Sequence, residues 1–366
     1  MVIWLDDSIA SVDFTDEWSS SGLSAILTAA QRGWHYVTGS RLVLRKLANN
    51  SMLGESLIRI LRRLEAGVAQ SGQMRDRVTE KIVVFDGSHS TYQNQGCWAV
   101  RLSKIGKVGV TQTILLGEDL EDVEAFFRAG KHYAIRQKFG SVPLDLRRQG
   151  GGGTNIVDAL EAIAITEQEW CLCITDSDRR SPAHQNSPTA AKCAKVAATA
   201  SWPVRHECLG AREIENILPR KVVANAVGNE FLEKWDLIND RLNACGEELY
   251  RYGDLKYGTF LGMVAGLDAN SAERAFWMKT ADAIRAKRPG QLECDKGGEC
   301  GGPSNCRCPI VPGLGGGMLK RVLELLERNS DHHGFELAHA SPSSNEWFAI
   351  GRVVFEWCCG ASPVRA

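Results

Sequence analysis

The sequence predicts an α/β protein: a parallel sheet flanked by helices mid-chain, a mixed α/β accessory domain before it and a mostly helical region after it. Two observations carry this expectation. Between residues 113 and 218, short apolar runs of strand length alternate with helix-compatible segments, the pattern of strands joined by crossover helices. At 366 residues, the chain also exceeds the usual size of one domain. Residues 1–108, 109–222 and 223–366 are the expected divisions.

In the first division, Ser21 to Arg32 and Leu53 to Ala66 have helical spacing, with Leu57, Leu61 and Leu64 recurring on one face. Arg59, Arg62 and Arg63 lie between those leucines, and Arg41, Arg45 and Lys46 precede them. They form either a phosphate-facing surface or a solvated helix face. Lys81 to Asp86 reads as a buried strand ended by Gly87.

In the second division, Thr113-Ile-Leu-Leu-Gly117 is a strand, followed by an acidic helix from Glu118 to Gly130. Gln149 to Asn155 is glycine-rich and precedes a helix from Ile156 to Ile165. Amides at such a helix start, here Gly152 and Gly153, are able to receive phosphate oxygens; a flexible connector is the equal alternative. It is not a Walker motif, because no Gly-Lys-Ser/Thr follows. Trp170 to Thr175 is the second strand, ending at Asp176-Ser177-Asp178. An alanine-rich helix spans about Ala190 to Ala200, and Pro203 to Leu209 is the third strand. In the third division, Met318 to Glu327 is an amphipathic helix, and Trp347 to Cys359 is apolar enough to pack on a core.

Composition narrows the function classes. The chain is 44% hydrophobic and 24% charged, as soluble globular proteins are. No run approaches the roughly 18 apolar residues that cross a bilayer. The acidic start argues against a signal peptide, so a cytoplasmic location is expected. The net charge of −1 excludes a uniformly basic nucleic-acid coat, so any such contact needs a local patch, a metal or a partner.

Two carboxylates one residue apart at a strand end, Asp176 and Asp178, can converge on one cation. A glutamate ending another strand, Glu118, would approach the same volume. Hard oxygen donors of this kind suit Mg²⁺ or Mn²⁺, and divalent ions stabilise the charge that develops in phosphoryl chemistry. Each piece also has an ordinary structural explanation, in capping or in helix first turns.

These motifs resemble the TOPRIM domain of topoisomerases, bacterial primases and the overcoming-lysogenization-defect nucleases. There, a glutamate after the first strand is followed four positions later by an acid, as in Glu118 and Asp122. An Asp-x-Asp follows a later strand, as in Asp176-Ser177-Asp178. The nuclease branch and related phage-defence proteins tend to carry a glycine-rich segment ahead of a helix, as in Gly150 to Asn155. They also carry a later Ile-Glu-Asn, here Ile214-Glu215-Asn216. The resemblance covers about residues 112–220. It implies a TOPRIM-like sheet and a Mg²⁺- or Mn²⁺-dependent nuclease using Glu118, Asp176, Asp178 and Glu215. It also implies DNA or RNA as substrate and, in defence, a protein partner. Arg179, Arg180 or Arg212 would supply extra positive charge. No tyrosine is placed for covalent strand passage, so hydrolysis is expected. A non-catalytic sensor or binding subunit and a primase-like nucleotidyl transferase are the alternatives.

Four of the twelve cysteines, Cys294, Cys300, Cys306 and Cys308, crowd a glycine-rich stretch. In a reducing compartment they predict a structural Zn²⁺ site or, failing that, a loop of reduced thiols.

Overall fold

A parallel sheet begins at the first residues of the chain. β1 (Val2–Leu5), β2 (Tyr36–Gly39), β3 (Lys81–Phe85), β4 (Tyr92–Asn94) and β5 (Cys97–Arg101) line up in the order β2-β1-β3-β5-β4, with β4 alone antiparallel. In this computed structural model, the described residues are all but 89–91, 95, 289–291, 293–305, 342–343 and 364–366. Val2, Ile3 and Leu5 are buried on both faces of the sheet, as a central parallel strand requires. Helices α1 (Glu17–Arg32), α2 (Arg41–Ala48), α3 (Glu55–Arg77) and α4 (Leu102–Val108) accompany this sheet. Asp16 starts α1 by accepting the Ser19 amide, and Gly33 ends it at φ 79°. The sequence pattern predicts α1, α3 and β3, but not β1, β2, β4 or β5.

A second sheet is built from β6 (Thr113–Gly117), β7 (Leu146–Gly150), β8 (Cys171–Thr175) and β9 (Val204–Cys208), in the order β7-β6-β8-β9. β6 pairs in parallel with both β7 and β8. Helices α5 (Leu120–Arg136), α6 (Ile156–Thr166) and α7 (Pro188–Thr199) are the connections. Every residue of β6 and β8 is buried. Ile114, Leu116, Cys171 and Cys173 join Ile156, Leu160 and Ile163 of α6 in one apolar cluster. This is the expected α/β layering, and the reduced cysteines serve in it as small hydrophobes.

The remaining elements are α8 (Arg220–Ala226), α9 (Leu232–Cys245), α10 (Glu248–Tyr252), β10 (Gly258–Phe260), α11 (Leu261–Ala265), α12 (Ala272–Lys287), β11 (Pro309–Pro312), α13 (Met318–Arg328), α14 (Asp331–His339) and α15 (Asn345–Cys358). β10 and β11 form a short antiparallel pair, so this region is mostly helical. No described helix is long and apolar enough to cross a membrane.

The chain folds into two compact units: Met1–Ile174, Lys192–Glu207 and Ile350–Ala366 form one, Thr175–Ala191 and Cys208–Ala349 the other. These units cut across the linear divisions 1–108, 109–222 and 223–366. Both sheets belong to the first unit up to the last residues of β8 and β9. The last turns of α15 join it because Val354, Phe355 and Trp357 are buried there. Gly351 brings α15 against α5, since a Cβ at that position would collide with the Ala129 carbonyl.

Candidate functional site

In the first unit, Glu118 directly follows β6 and is half-buried. The pKa of the buried Cys173 thiol in β8 is raised by its hydrogen bond with Cys193 and by burial, and the Glu118 charge adds to this as a smaller cause. The glycine run is strapped over this strand end: Gly151 N–H donates to the Gly117 carbonyl at 2.8 Å, and Gly153 N–H to that of Glu118 at 3.0 Å. Gly152 and Gly153 take φ of 72° and 66°, backbone that favours glycine. The run is therefore a shaped turn, with the Gly153 amide already given to Glu118.

Asp119 and Asp122 close the start of α5. The Asp119 carboxylate accepts the amides of Glu121 and Asp122, and the Asp122 carboxylate accepts the Asp119 amide at 3.2 Å. This reciprocal cap gives Asp122 a structural task at a buried position.

The second unit gathers the other candidates. Asp176 and Asp178 follow β8, and Asp178 holds φ 54°, a left-handed conformation uncommon outside glycine. Its amide donates to the Arg212 carbonyl at 2.9 Å, which fixes the turn. The carboxylate of Asp178 is exposed in a cleft of about 630 Å³ that it shares with Arg180, His184 and Arg212.

Ile214-Glu215-Asn216 forms a single 3₁₀ turn rather than a regular helix. Asn216 anchors it: its side-chain amide donates to the carbonyls of Tyr250 (2.5 Å) and Gly253 (2.8 Å). Glu215 is thereby held at 1% exposure. Burial raises its pKa, partly offset by Lys256, whose Nζ lies 3.1 Å from Oε1. The other carboxylate oxygen of Glu215, Oε2, is buried with no hydrogen-bond partner among the described residues.

Lys256 is the residue that the sequence did not flag. It reaches Glu213 Oε2 at 3.6 Å as well as Glu215. Burial opposes its charge, yet Glu215, Glu213 and then Asp176 raise its pKa overall. Arg212 completes the cluster, with Nε 3.0 Å from Glu213 and an NH2 group 3.0 Å from Asp254. No local motif marked Lys256, because its partners lie some 40 residues upstream. Excess acidic charge at residues 213 and 215 was the one available signal that a buried cation must be nearby.

Among the described residues, no group of three or more His, Cys, Asp or Glu side chains is arranged to hold a metal ion. The donor chemistry nonetheless fits a hard divalent cation at one point, the unsatisfied Oε2 of Glu215. Of the expected zinc ligands, Cys294 and Cys300 lie outside the described residues. Cys306 and Cys308 are half-buried, and their carbonyls accept the amides of Gly262 and Leu261. A fifth thiol, Cys245 at the end of α9, influences the same Arg241 guanidinium as Cys308. Compared with known protein families, curated proteins and solved structures, the chain has no match.

Proposed function

We propose that this chain is a metal-dependent nuclease hydrolysing nucleic-acid phosphodiesters, working in bacterial anti-phage defence with a protein partner. The defence role and the assignment of Glu118 rest on the resemblance of the acidic motifs alone. The observation that carries the reading is the half-satisfied carboxylate of Glu215. A buried acid with one oxygen on Lys256 and the other unpartnered is costly unless something positive completes it.

In this reading, the open oxygen of Glu215 would take Mg²⁺ or Mn²⁺, and Asp176 and Asp178 are assigned to the same ion, as Glu118 is, by the resemblance of the motifs. The bound ion would lower the pKa of an attacking water and neutralise the scissile phosphate. Arg180 lines the same cleft as Asp178, and its guanidinium would bind phosphate oxygens there. Lys256 and Arg212 keep Glu213 neutralised, so one acid less competes for the incoming polyanion. The strained turn at Asp178 fits a side chain held for a task. Cys306 and Cys308 remain candidate zinc ligands.

The test is nicking of supercoiled plasmid, single-stranded DNA and RNA with Mg²⁺, Mn²⁺ or EDTA, run beside Asp176→Ala. Metal-dependent cutting that the variant loses is expected. No cutting under any metal, or equal cutting by the variant, would overturn the proposal. A second reading, a non-catalytic binding subunit, is favoured by Lys256, which balances Glu213 and Glu215 without a metal. Nucleic-acid binding in EDTA with no cutting would support it.

A further inference from the structure

A second, smaller cleft of about 240 Å³ in the same unit shares the side chains of Arg180 and Arg212 with the larger one. Its chemistry differs. Met263, Val264, Leu267 and Trp277 make it largely apolar, whereas the larger cleft is lined by polar loop residues. Trp277 is 2% exposed and locked in place, its indole N–H donating to the Arg180 carbonyl at 2.9 Å. Met263 is 59% exposed and stands at the edge, where a thioether can pack on an aromatic ring.

Two carboxylates line this cleft, and they are not equivalent. Asp254 is fully used, with Oδ1 accepting the Tyr257 amide and Oδ2 paired to Arg212. Glu273, half-buried at the start of α12, forms no hydrogen bond or ion pair among the described residues. The guanidinium of Arg180 likewise has no partner among them. An apolar slot therefore carries one open carboxylate inside and one open guanidinium at the border with the Asp178 cleft.

We infer that this cleft seats the base of a guanine nucleotide, with its phosphate on Arg180. A planar heterocycle fills a small apolar slot and gains by stacking and desolvation. Guanine presents two N–H donors, N1–H and N2–H, side by side, and one carboxylate accepts both. Adenine and cytosine offer a single amino group there, and uracil a single imino group. The unit is either a free mononucleotide or one unstacked residue of a strand whose backbone continues past Asp178. The inference rests on the nuclease reading only for that second source.

The test is calorimetric titration of the full chain with the four nucleoside 5′-monophosphates in EDTA, where hydrolysis is silent. Guanosine monophosphate should bind about tenfold tighter than the other three, the size of one extra charge-assisted hydrogen bond. Glu273→Gln should bring it down to their level, with an unchanged melting curve. An oligonucleotide carrying a single unpaired guanine among adenines competes if the source is a strand and fails to compete if it is a free nucleotide. Equal binding of all four nucleotides, binding of none, or a preference that survives Glu273→Gln would overturn the inference. Guanine-selective binding by a chain that never cuts would sink the nuclease and leave this pocket standing.

Discussion

Two buried glutamates, one in each unit, show how differently this protein treats the same chemical problem. Glu80, immediately before β3, is 5% exposed. One of its carboxylate oxygens meets Arg205 and the other accepts the Trp357 indole N–H at 2.6 Å. Glu356 sits beside it, accepting from Thr79 and from the Glu80 amide. Burial still raises the pKa of Glu80, but each oxygen has a donor. Glu215 is buried more deeply, and one of its oxygens has none among the described residues. A satisfied buried charge is architecture. An unsatisfied one, paired on one side with Lys256 and held by an asparagine-anchored turn, is the better candidate for a site.

The sharpest way to break this comparison is to remove an acid beside Lys256. Asp176→Ala should lower metal-dependent cutting by about a thousandfold, the scale of losing a charge-stabilising group in a reacting centre. Its melting temperature should stay within about 2 °C of wild type. Loss of folding in parallel with loss of cutting would place Asp176 with Glu80, among the structural acids.

The paired glutamates should differ next, in stability. Glu80→Ala leaves Arg205 without its buried partner and strips the Trp357 indole of its acceptor, so a loss of about 3 kcal/mol is expected. Glu215→Gln keeps the shape of the side chain and removes a charge that burial disfavours, so its stability should change by less than about 1 kcal/mol. Denaturant unfolding of both variants measures the difference. Equal losses would show that Glu215 is structural too.

Residue 206 offers a smaller effect, read by pH. Burial, with the Arg205 charge beside it, pushes the His206 pKa from 6.5 down to about 4. The folded protein thus holds this imidazole neutral where the unfolded chain would protonate it. The stability it contributes is whole above pH 6.5 and is lost as pH falls from 6.5 towards 4. His206→Gln removes that slope. The wild type should lose about 2 kcal/mol more than the variant across this window, a figure reduced for partial solvent screening. Parallel pH profiles would show that His206 is not held neutral.

The sequence revealed β6 and β8 readily, because strands buried on both faces are continuous apolar runs of fixed length. It hid β7, whose Leu-Arg-Arg-Gln-Gly is polar because an edge strand leaves its arginines exposed. It also hid β1, whose four residues lack enough pattern to separate a strand from a helix start. Glu118, Asp176, Asp178 and Glu215 could be picked out because each sits beside a strand end or a recognisable turn. Lys256 could not, since a buried lysine is identified by partners that the fold supplies. The double role of Asn216, capping its own turn and tying it to the chain at 250–253, was legible only as a triplet without a reason.

The smallest effect should come from Asp119, which separates capping from chemistry at the end of β6. Its φ of −136° is ordinary extended backbone, so the position asks nothing special of the chain, and its carboxylate holds two amides of the α5 first turn. Asp119→Ala should cost about 1 kcal/mol in thermal or denaturant unfolding, the usual worth of an N-cap. Asp119→Asn, which can still accept from those amides, should recover most of it. If Asp119→Ala instead left stability untouched and reduced cutting as Asp176→Ala does, then the acids after β6 would belong with Glu215 rather than with Glu80.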